Sequence, residues 1–492
     1  MTSSNYTSKK TPWNLEPAPA WTAMIGIIVL GLIGAVPGLG RVVTLFFPVA
    51  SLVVGFFLYS RYPILYLGYT WWLWFLTPFV RRLADFGSGY TEPSPILLSP
   101  FLVTALCFIT LFKQLPKLNS QGKLGTPFVL AFIGLFYSLL VGIIYREPTK
   151  LVIATLEWFT PVIFGFHLYV NWRSYPQIQR NIERVFLYGV LIVGSYGVLQ
   201  YVALPQWDRI WLTNAPIDSI CSGGVEVLKC RVYSTLNSPE PFAGFMAAGL
   251  LLLLCSTSRL SMPAQIAGYL SFLLAMVRSG WLGWFAGFLA LIFSLKEKFQ
   301  IRLILVFLIM IVCIAPLTQI EQFSGVTERL GTFGNLENDG SADARQETYE
   351  EVLGEALTNW FGQGIGGKQY DSTLLALLMN LGWIGTIFYG GGMLLLILNL
   401  FYQSASRNDA FATAMRGVVM TVVARLPLNS PLKEVQGIIF WGFLGLGVAA
   451  HRYYQYQKML SLREANGYSL EGKDVSTESN LGAYIVRERD NM

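Results

Sequence analysis

The chain predicts an all-α fold of membrane-crossing helices, and three observations carry that prediction. Hydrophobic residues fill 53% of the 492 positions and charged residues only 13%, about half the charge of an average soluble domain. Apolar runs long enough to cross a bilayer recur from residue 21 to residue 451. Between them stand only two long polar intervals, 205–240 and 319–371. Internal repeats and low-complexity tracts are absent.

Windows of about twenty residues predict about fourteen spans. They centre near residues 29, 50, 71, 104, 135, 161, 194, 248, 270, 288, 310, 388, 418 and 443. Residues 1–20 are polar, with Lys9 and Lys10, and the first span is expected to open at Trp21, so this is not a short cleavable signal. They form an expected cytoplasmic tail, 21–451 the membrane domain, and 452–492 a second cytoplasmic tail. With that orientation the inner segments hold about twenty of the 35 Lys and Arg, an excess in the sense of the positive-inside rule. The basic balance therefore reads as topology. No basic patch with interleaved aromatics and no zinc or phosphate-loop spacing points to nucleic acid.

This topology puts both long polar intervals outside, away from cytoplasmic nucleotides. Arg81 and Arg82, in "VRRLADFGSGY", also fall outside against the rule: either they guide an anionic glycan or the early topology differs. Cys107, Cys255 and Cys313 lie in spans as small apolar residues. Cys221 and Cys230 flank "CSGGVEVLKC" in the outer interval and are expected to form a disulfide in an oxidising compartment.

Further single arginines reach the same side. Arg231 opens "RVYSTLNSPEPFAGF", where Ser-Pro and Glu-Pro delay the next helix. Arg278 sits in the short turn of "MVRSGWLGWF", either snorkelling from a helix end or facing the bundle. Arg345 lies in "SADARQETYEEVLGEALTNWF", an amphipathic helix whose Tyr349, Val352, Leu353, Ala356, Leu357 and Trp360 form one apolar face. A cation in that first turn opposes the helix dipole, which leaves a local pair with Asp343 or Glu347, or a function. A guanidinium presents a fixed fork that matches phosphate oxygens two at a time, so converging outer arginines suit a pyrophosphate.

Gly362, Gly364, Gly366 and Gly367 follow that helix. They serve as a helix stop or as a backbone surface for sugar or phosphate; a helix precedes them and no strand, so they are no dinucleotide fingerprint. Asp371 then stands before the next span with three readings open: general base, cap of that span, or partner of Arg345 or Arg278.

Four stretches together resemble the O-antigen ligase and O-antigen polymerase superfamily of membrane glycan transferases. "RVYSTLNSPEPFAGFMAAG" is similar to its arginine-led entry to a span, with the Pro-Asn order altered, and "VRSGWLGWFAGFLALIF" to its Ser-Arg-Ser/Gly motif, with Val277 at the serine. "ARQETYEEVLGEALTNWFGQGIGG" resembles its arginine-led helix before Gly-x-Gly, and "YDSTLLALLMNLGWIG" its His-Asn motif, with Asp371 and Ser372 in place of His and Asn. The resemblance covers Arg231 to Gly385 and is weak before that.

It implies a fold related to the C-type glycosyltransferases, a polyprenyl-diphosphate-linked oligosaccharide as donor, and no metal or cofactor. The outer intervals accordingly hold no Asp-x-Asp and no histidine cluster, and His167 is expected in the core. The resemblance further implies Arg231, Arg278 and Arg345 at or near the donor phosphates; the catalytic candidates are then Arg278, Arg345 and Asp371, and the candidate substrate contacts Arg231, Tyr233, Asn237, Glu240, Gly364, Gly366, Arg81 and Arg82. A flippase and a chain-length regulator would be its partners at the bacterial inner membrane. Asp371 at the histidine position favours a polymerase over a ligase. A small-solute transporter is the rival class, with Arg416 as its intramembrane charge, and a structural export subunit is a third.

Overall fold

A computed structural model describes residues 17–114, 125–215, 220–221, 223–294, 300–301, 304, 326–327, 331, 340–402, 405–407 and 409–465. Among the described residues the regular elements are helical and the only bridge is Cys221 to Cys230. The helices are α1 (Ala18–Ile33), α2 (Gly40–Arg61), α3 (Pro63–Ser88), α4 (Ser99–Ala105), α5 (Cys107–Gln114), α6 (Thr126–Tyr145), α7 (Pro148–Val170) and α8 (Tyr175–Ala203). There follow α9 (Gln206–Asn214), α10 (Pro239–Leu254), α11 (Ser261–Leu274), α12 (Arg278–Ser294), α13 (Gly340–Thr358), α14 (Thr373–Tyr402), α15 (Ala410–Val423) and α16 (Glu434–Ala465).

Among the described residues, six helical stretches are long and apolar enough to cross a membrane: 40–61, 95–114, 126–145, 148–170, 172–203 and 373–402. The protein is thus a helical membrane protein. Every other expected span centre falls inside a helix that is shorter or more polar, except the one near residue 310, which lies outside the described residues. The boundaries shift at both ends. The first helix begins at Ala18, three residues before Trp21, because Pro19 fits a first turn whose N–H groups need no helical partner. The last runs on to Ala465, past the expected end at 451.

Glycine explains how these helices pair. Lipid supplies little hydrophobic drive between helices, so close backbone approach does much of the packing. A Cβ on Gly134 of α6 would stand 2.6 Å from the Gly385 carbonyl oxygen of α14, and one on Gly445 of α16 would stand 2.0 Å from that of Gly165 in α7. Gly287 of α12 approaches the Gly417 oxygen of α15 at 2.5 Å in the same way. Around these seams α10 runs through the centre, with Phe242 to Leu253 buried on every side.

The glycine turn after α13 has a specific structural task. Inside α14, Gly382 departs from helical angles at φ 65 and ψ 179, which frees backbone groups in a buried place. The turn fills that break. Trp383 and Ile384 donate their N–H groups to the carbonyls of Asn359 and Trp360, and Gln363 donates its own to the Met379 carbonyl at 2.8 Å. Ser138 donates its hydroxyl to the Asn380 carbonyl at 2.9 Å. Gly362, at φ 75, lies so close that a Cβ would be 2.5 Å from the Gly382 nitrogen.

Candidate functional site

The site is assembled at the end of the bundle where α10, α12, α14 and α16 start. Four connections bring these starts together. Arg231 donates from Nε to the Ala275 carbonyl at 3.1 Å and from Nη2 to the Met276 carbonyl at 3.3 Å, covering the C-terminus of α11 as the helix dipole favours. Met276 has a left-handed backbone, φ 52, a conformation that costs a non-glycine residue about 1–3 kcal/mol, and Arg231 helps to hold it. Two residues later Arg278, half-buried, begins α12.

The second connection is the segment after α15. Thr373, at the start of α14, donates its N–H to the Leu426 and Asn429 carbonyls at 3.1 Å each and its hydroxyl to Asn429 at 2.7 Å. Tyr349 of α13 shares a 2.5 Å hydrogen bond with the Ser372 hydroxyl. Arg345 is in the backbone of α13 one turn before Tyr349; its side chain lies outside the described residues.

The third is an ion pair that sequence reasoning did not find. Arg425, with no exposed surface, donates from Nη2 to Glu240 Oε1 at 3.2 Å, and Gln436 of α16 donates to the same oxygen at 3.4 Å. Its signal was present in "VVARLPLNSP", an arginine closing an apolar run on the expected outer side before a proline-rich turn. Arg416, the intramembrane charge of the transporter reading, binds the Leu400 carbonyl and the Ser406 hydroxyl near the opposite end of α15 and holds the α14–α15 turn.

The fourth connection corrects several expected substrate contacts. Arg82 is fully buried and pairs with the fully buried Asp208 at 2.5 Å. Its guanidinium also donates to the Ser234 carbonyl and lies 4.9 Å from the centre of the Tyr233 ring. Asp208 further accepts from Tyr196 at 2.6 Å and Gln200 at 3.0 Å. Arg82 and Tyr233 are therefore packed inside and hold the 231–236 loop in place; neither presents a face to a substrate. Arg81 is likewise tied, to Asp85 at 3.3 Å and Glu92 at 2.5 Å. Burial of the Glu92 carboxyl opposes its ionisation, but the Arg81 guanidinium prevails and holds it below the ordinary carboxylate value.

Gly364 also leaves the list of contacts. It is buried, and a Cβ on it would stand 2.4 Å from the Gly142 backbone of α6. Gly366 is half-buried beside the Lys150 carbonyl, and Asn237 is half-buried with an unpartnered Oδ1.

Asp371 is exposed, and among the described residues no ion pair or hydrogen bond engages its carboxylate. It does not cap α14. The Ser372 carbonyl accepts the first helical bond, from the Ala376 N–H at 2.9 Å, which makes Ser372 the capping residue and puts Asp371 one position outside.

The α13 stripe is narrower than expected. Tyr349, Val352, Leu353 and Ala356 pack on Tyr370, Leu375, Ala376 and Met379, whereas Leu357 and Trp360 remain 49% and 61% exposed. The helix stops at Thr358, so Trp360 no longer follows its spacing. Cys221 and Cys230 are bonded to each other. His167 is buried and hydrogen-bonded to Thr110 at 2.7 Å. No group of three or more His, Cys, Asp or Glu suited to a metal occurs among the described residues.

Fold and site define a class: a helical membrane protein with arginines and carboxylates gathered at one end. Comparison with known proteins gives no finer assignment, since no protein-family model and no curated protein matches the chain.

Proposed function

We propose that this protein transfers glycan from a polyprenyl-diphosphate-linked donor at the outer face of the bacterial inner membrane, and that it polymerises oligosaccharide repeat units. The observation that carries the reading is that Arg231 holds the turn leading to Arg278 at the start of α12, while the arginine-bearing α13 is tied through Tyr349 to Ser372, next to Asp371 at the start of α14. Pyrophosphate recognition calls for fixed cations of this kind. A first crossing from the inside and about fourteen crossings in all would put that end outside, in agreement with the resemblance to the O-antigen ligase and polymerase superfamily and to the C-type fold.

In this mechanism Arg278 and Arg345 neutralise the diphosphate and Arg231 fixes the turn that carries Arg278. An acceptor hydroxyl attacks the anomeric carbon. A new carbon–oxygen bond forms, the bond to the diphosphate breaks, and the polyprenyl diphosphate leaves with the electron pair. The hydroxyl proton passes to the Asp371 carboxylate late in the displacement. Asp371 suits this task because it is exposed and stands outside the cap. A comparison of lipid-linked glycan lengths in cells with and without the gene tests the reading. Loss of long chains on deletion supports polymerisation; intact chains that fail to reach a final acceptor indicate a ligase; unchanged glycans with altered solute uptake indicate a transporter.

A further inference from the structure

Helix α7 is long and apolar enough to cross a bilayer, yet it carries an acid well inside its length. Glu157 follows the first residue, Pro148, by nine positions, which at the rise of an α-helix is about 14 Å along its axis. Its carboxylate pairs with the Lys433 ammonium at 3.5 Å, and that ammonium lies 5.0 Å from the centre of the Trp158 ring. Lys433 directly precedes Glu434, the first residue of α16, so α16 begins beside the middle of α7 and not at its end. The packing agrees: a Cβ on Gly437 would stand 3.0 Å from Pro161 Cγ of α7. Between Val423 and Glu434 the chain runs in turns without a helix. Non-helical backbone at membrane depth is tolerated only where it is buried in protein or lines a water-filled cavity.

Glu434 decides between those two. It is exposed, yet protein surrounds it closely enough for Glu157, Lys433 and Glu240 all to act on its charge; a residue both exposed and enclosed lines a cleft. Hydrocarbon does not suit that cleft, because ionisable groups at membrane depth face the bundle interior or water. Glu157 is matched by Lys433 and Glu240 by Arg425, whereas among the described residues no hydrogen bond or ion pair engages the Glu434 carboxylate. Its backbone is left-handed, φ 51, a conformation that non-glycine residues keep mainly at functional sites. Glu240, in the first turn of α10 with its side chain 38% exposed, continues the polar wall toward the end of the bundle. We propose that Glu157, Lys433, Glu240 and Glu434 line a water-filled cleft that enters the bundle at the end where α7 and α10 start and admits small hydrophilic solutes to the level of Glu157. Its walls carry no surplus positive charge, which sets it apart from the diphosphate site, and it stands whether or not the protein transfers glycan.

The test is carboxylate labelling of the full chain in lipid nanodiscs, read by peptide mass spectrometry, with a water-soluble carbodiimide in one arm and lipid-soluble dicyclohexylcarbodiimide in the other. The water-soluble reagent should modify Glu434 to an extent comparable with Glu351, which is exposed on α13, and the lipid-soluble reagent should modify Glu434 much less. A nitroxide on Glu434→Cys should likewise collide more often with a water-soluble nickel chelate than with oxygen, the reverse of one on Leu140→Cys at the exposed face of α6. The wild-type labelling stands even where Glu434→Cys fails to fold. Modification of Glu434 by the lipid-soluble reagent to an equal or greater extent, or by neither reagent, would overturn the cleft and leave the glycan-transfer reading untouched.

Discussion

Arg82 and Arg425 are both fully buried guanidinium groups with one carboxylate partner each, yet their surroundings differ in kind. Arg82 faces an equally buried Asp208, a backbone carbonyl and the rings of Phe79, Tyr233 and Trp211 within 6.0 Å. Only its Nε lacks a partner. Arg425 faces a carboxylate that reaches the surface, at 3.2 Å, and two of its three nitrogens are open. The first arrangement is closed and fixes a loop. The second is open at its carboxylate, whose side chain is 38% exposed, so burial of an arginine does not by itself say how its charge is balanced.

Substitutions should separate the two. Arg82→Ala leaves Asp208 charged and buried, which costs about 3–5 kcal/mol, and should abolish folded protein as measured by size-exclusion of the detergent-solubilised chain. Arg425→Met leaves Glu240 a path to water. It should keep near-normal abundance. A folded Arg82→Ala with long polymer would erase the contrast. Arg278→Ala and Arg345→Ala should likewise insert normally and lose polymer, with lysine a poor substitute because a bidentate fork is lost.

The glycine turn is the next comparison, since it belongs to the closed kind. Gly382→Ala would put a Cβ 2.3 Å from the Gly362 nitrogen at a positive φ and should cost about 1–3 kcal/mol or more, read as a lower thermal midpoint. Asp371 belongs to the open kind. Asp371→Asn should keep abundance and strongly reduce polymer, whereas Ser372→Ala, which loses the bond to Tyr349, should cost about 1 kcal/mol in stability with polymer retained. Polymer of normal length from Asp371→Asn would remove Asp371 from the chemistry.

The smallest effect concerns Glu92, whose carboxyl is lowered from its ordinary 4.5 by Arg81 against the opposing effect of burial. A lowered folded value means that the pair stabilises fully above about pH 4.5 and that this contribution is lost as the pH falls through the folded value. Glu92→Gln should therefore melt earlier than wild type at neutral pH, and the gap should close on acidification. A gap that widens in acid would refute the assignment.

The positions of the helices were legible in the sequence because apolar runs of this length have few other uses. Each expected centre within the described residues is helical. Side-chain destinations were not. Arg82 looked like an outward charge because its partner Asp208 stands 126 residues away and nothing local marks a pairing across that distance, whereas Arg81 has Asp85 four residues on in the same helix. The glycines of 362–367 announced a turn, but not that the turn would fill a break at Gly382, since the break shows only in the backbone angles of α14. A cap was one of the three readings open for Asp371, and Ser372 takes that role by one residue. Arg425 was visible as an arginine at a helix end, but the bare glycine backbone of Gly244 and Gly283 that packs against it comes from two other helices.

Reconstitution is the sharpest test of glycan polymerisation. The purified chain is placed in lipid vesicles with the extracted lipid-linked repeat-unit pool, and product length and released polyprenyl diphosphate are followed together. Wild-type protein should give longer glycans and release one polyprenyl diphosphate for each bond formed, and Arg278→Ala should lose both. Unchanged glycan length with no release from folded wild-type protein would contradict it.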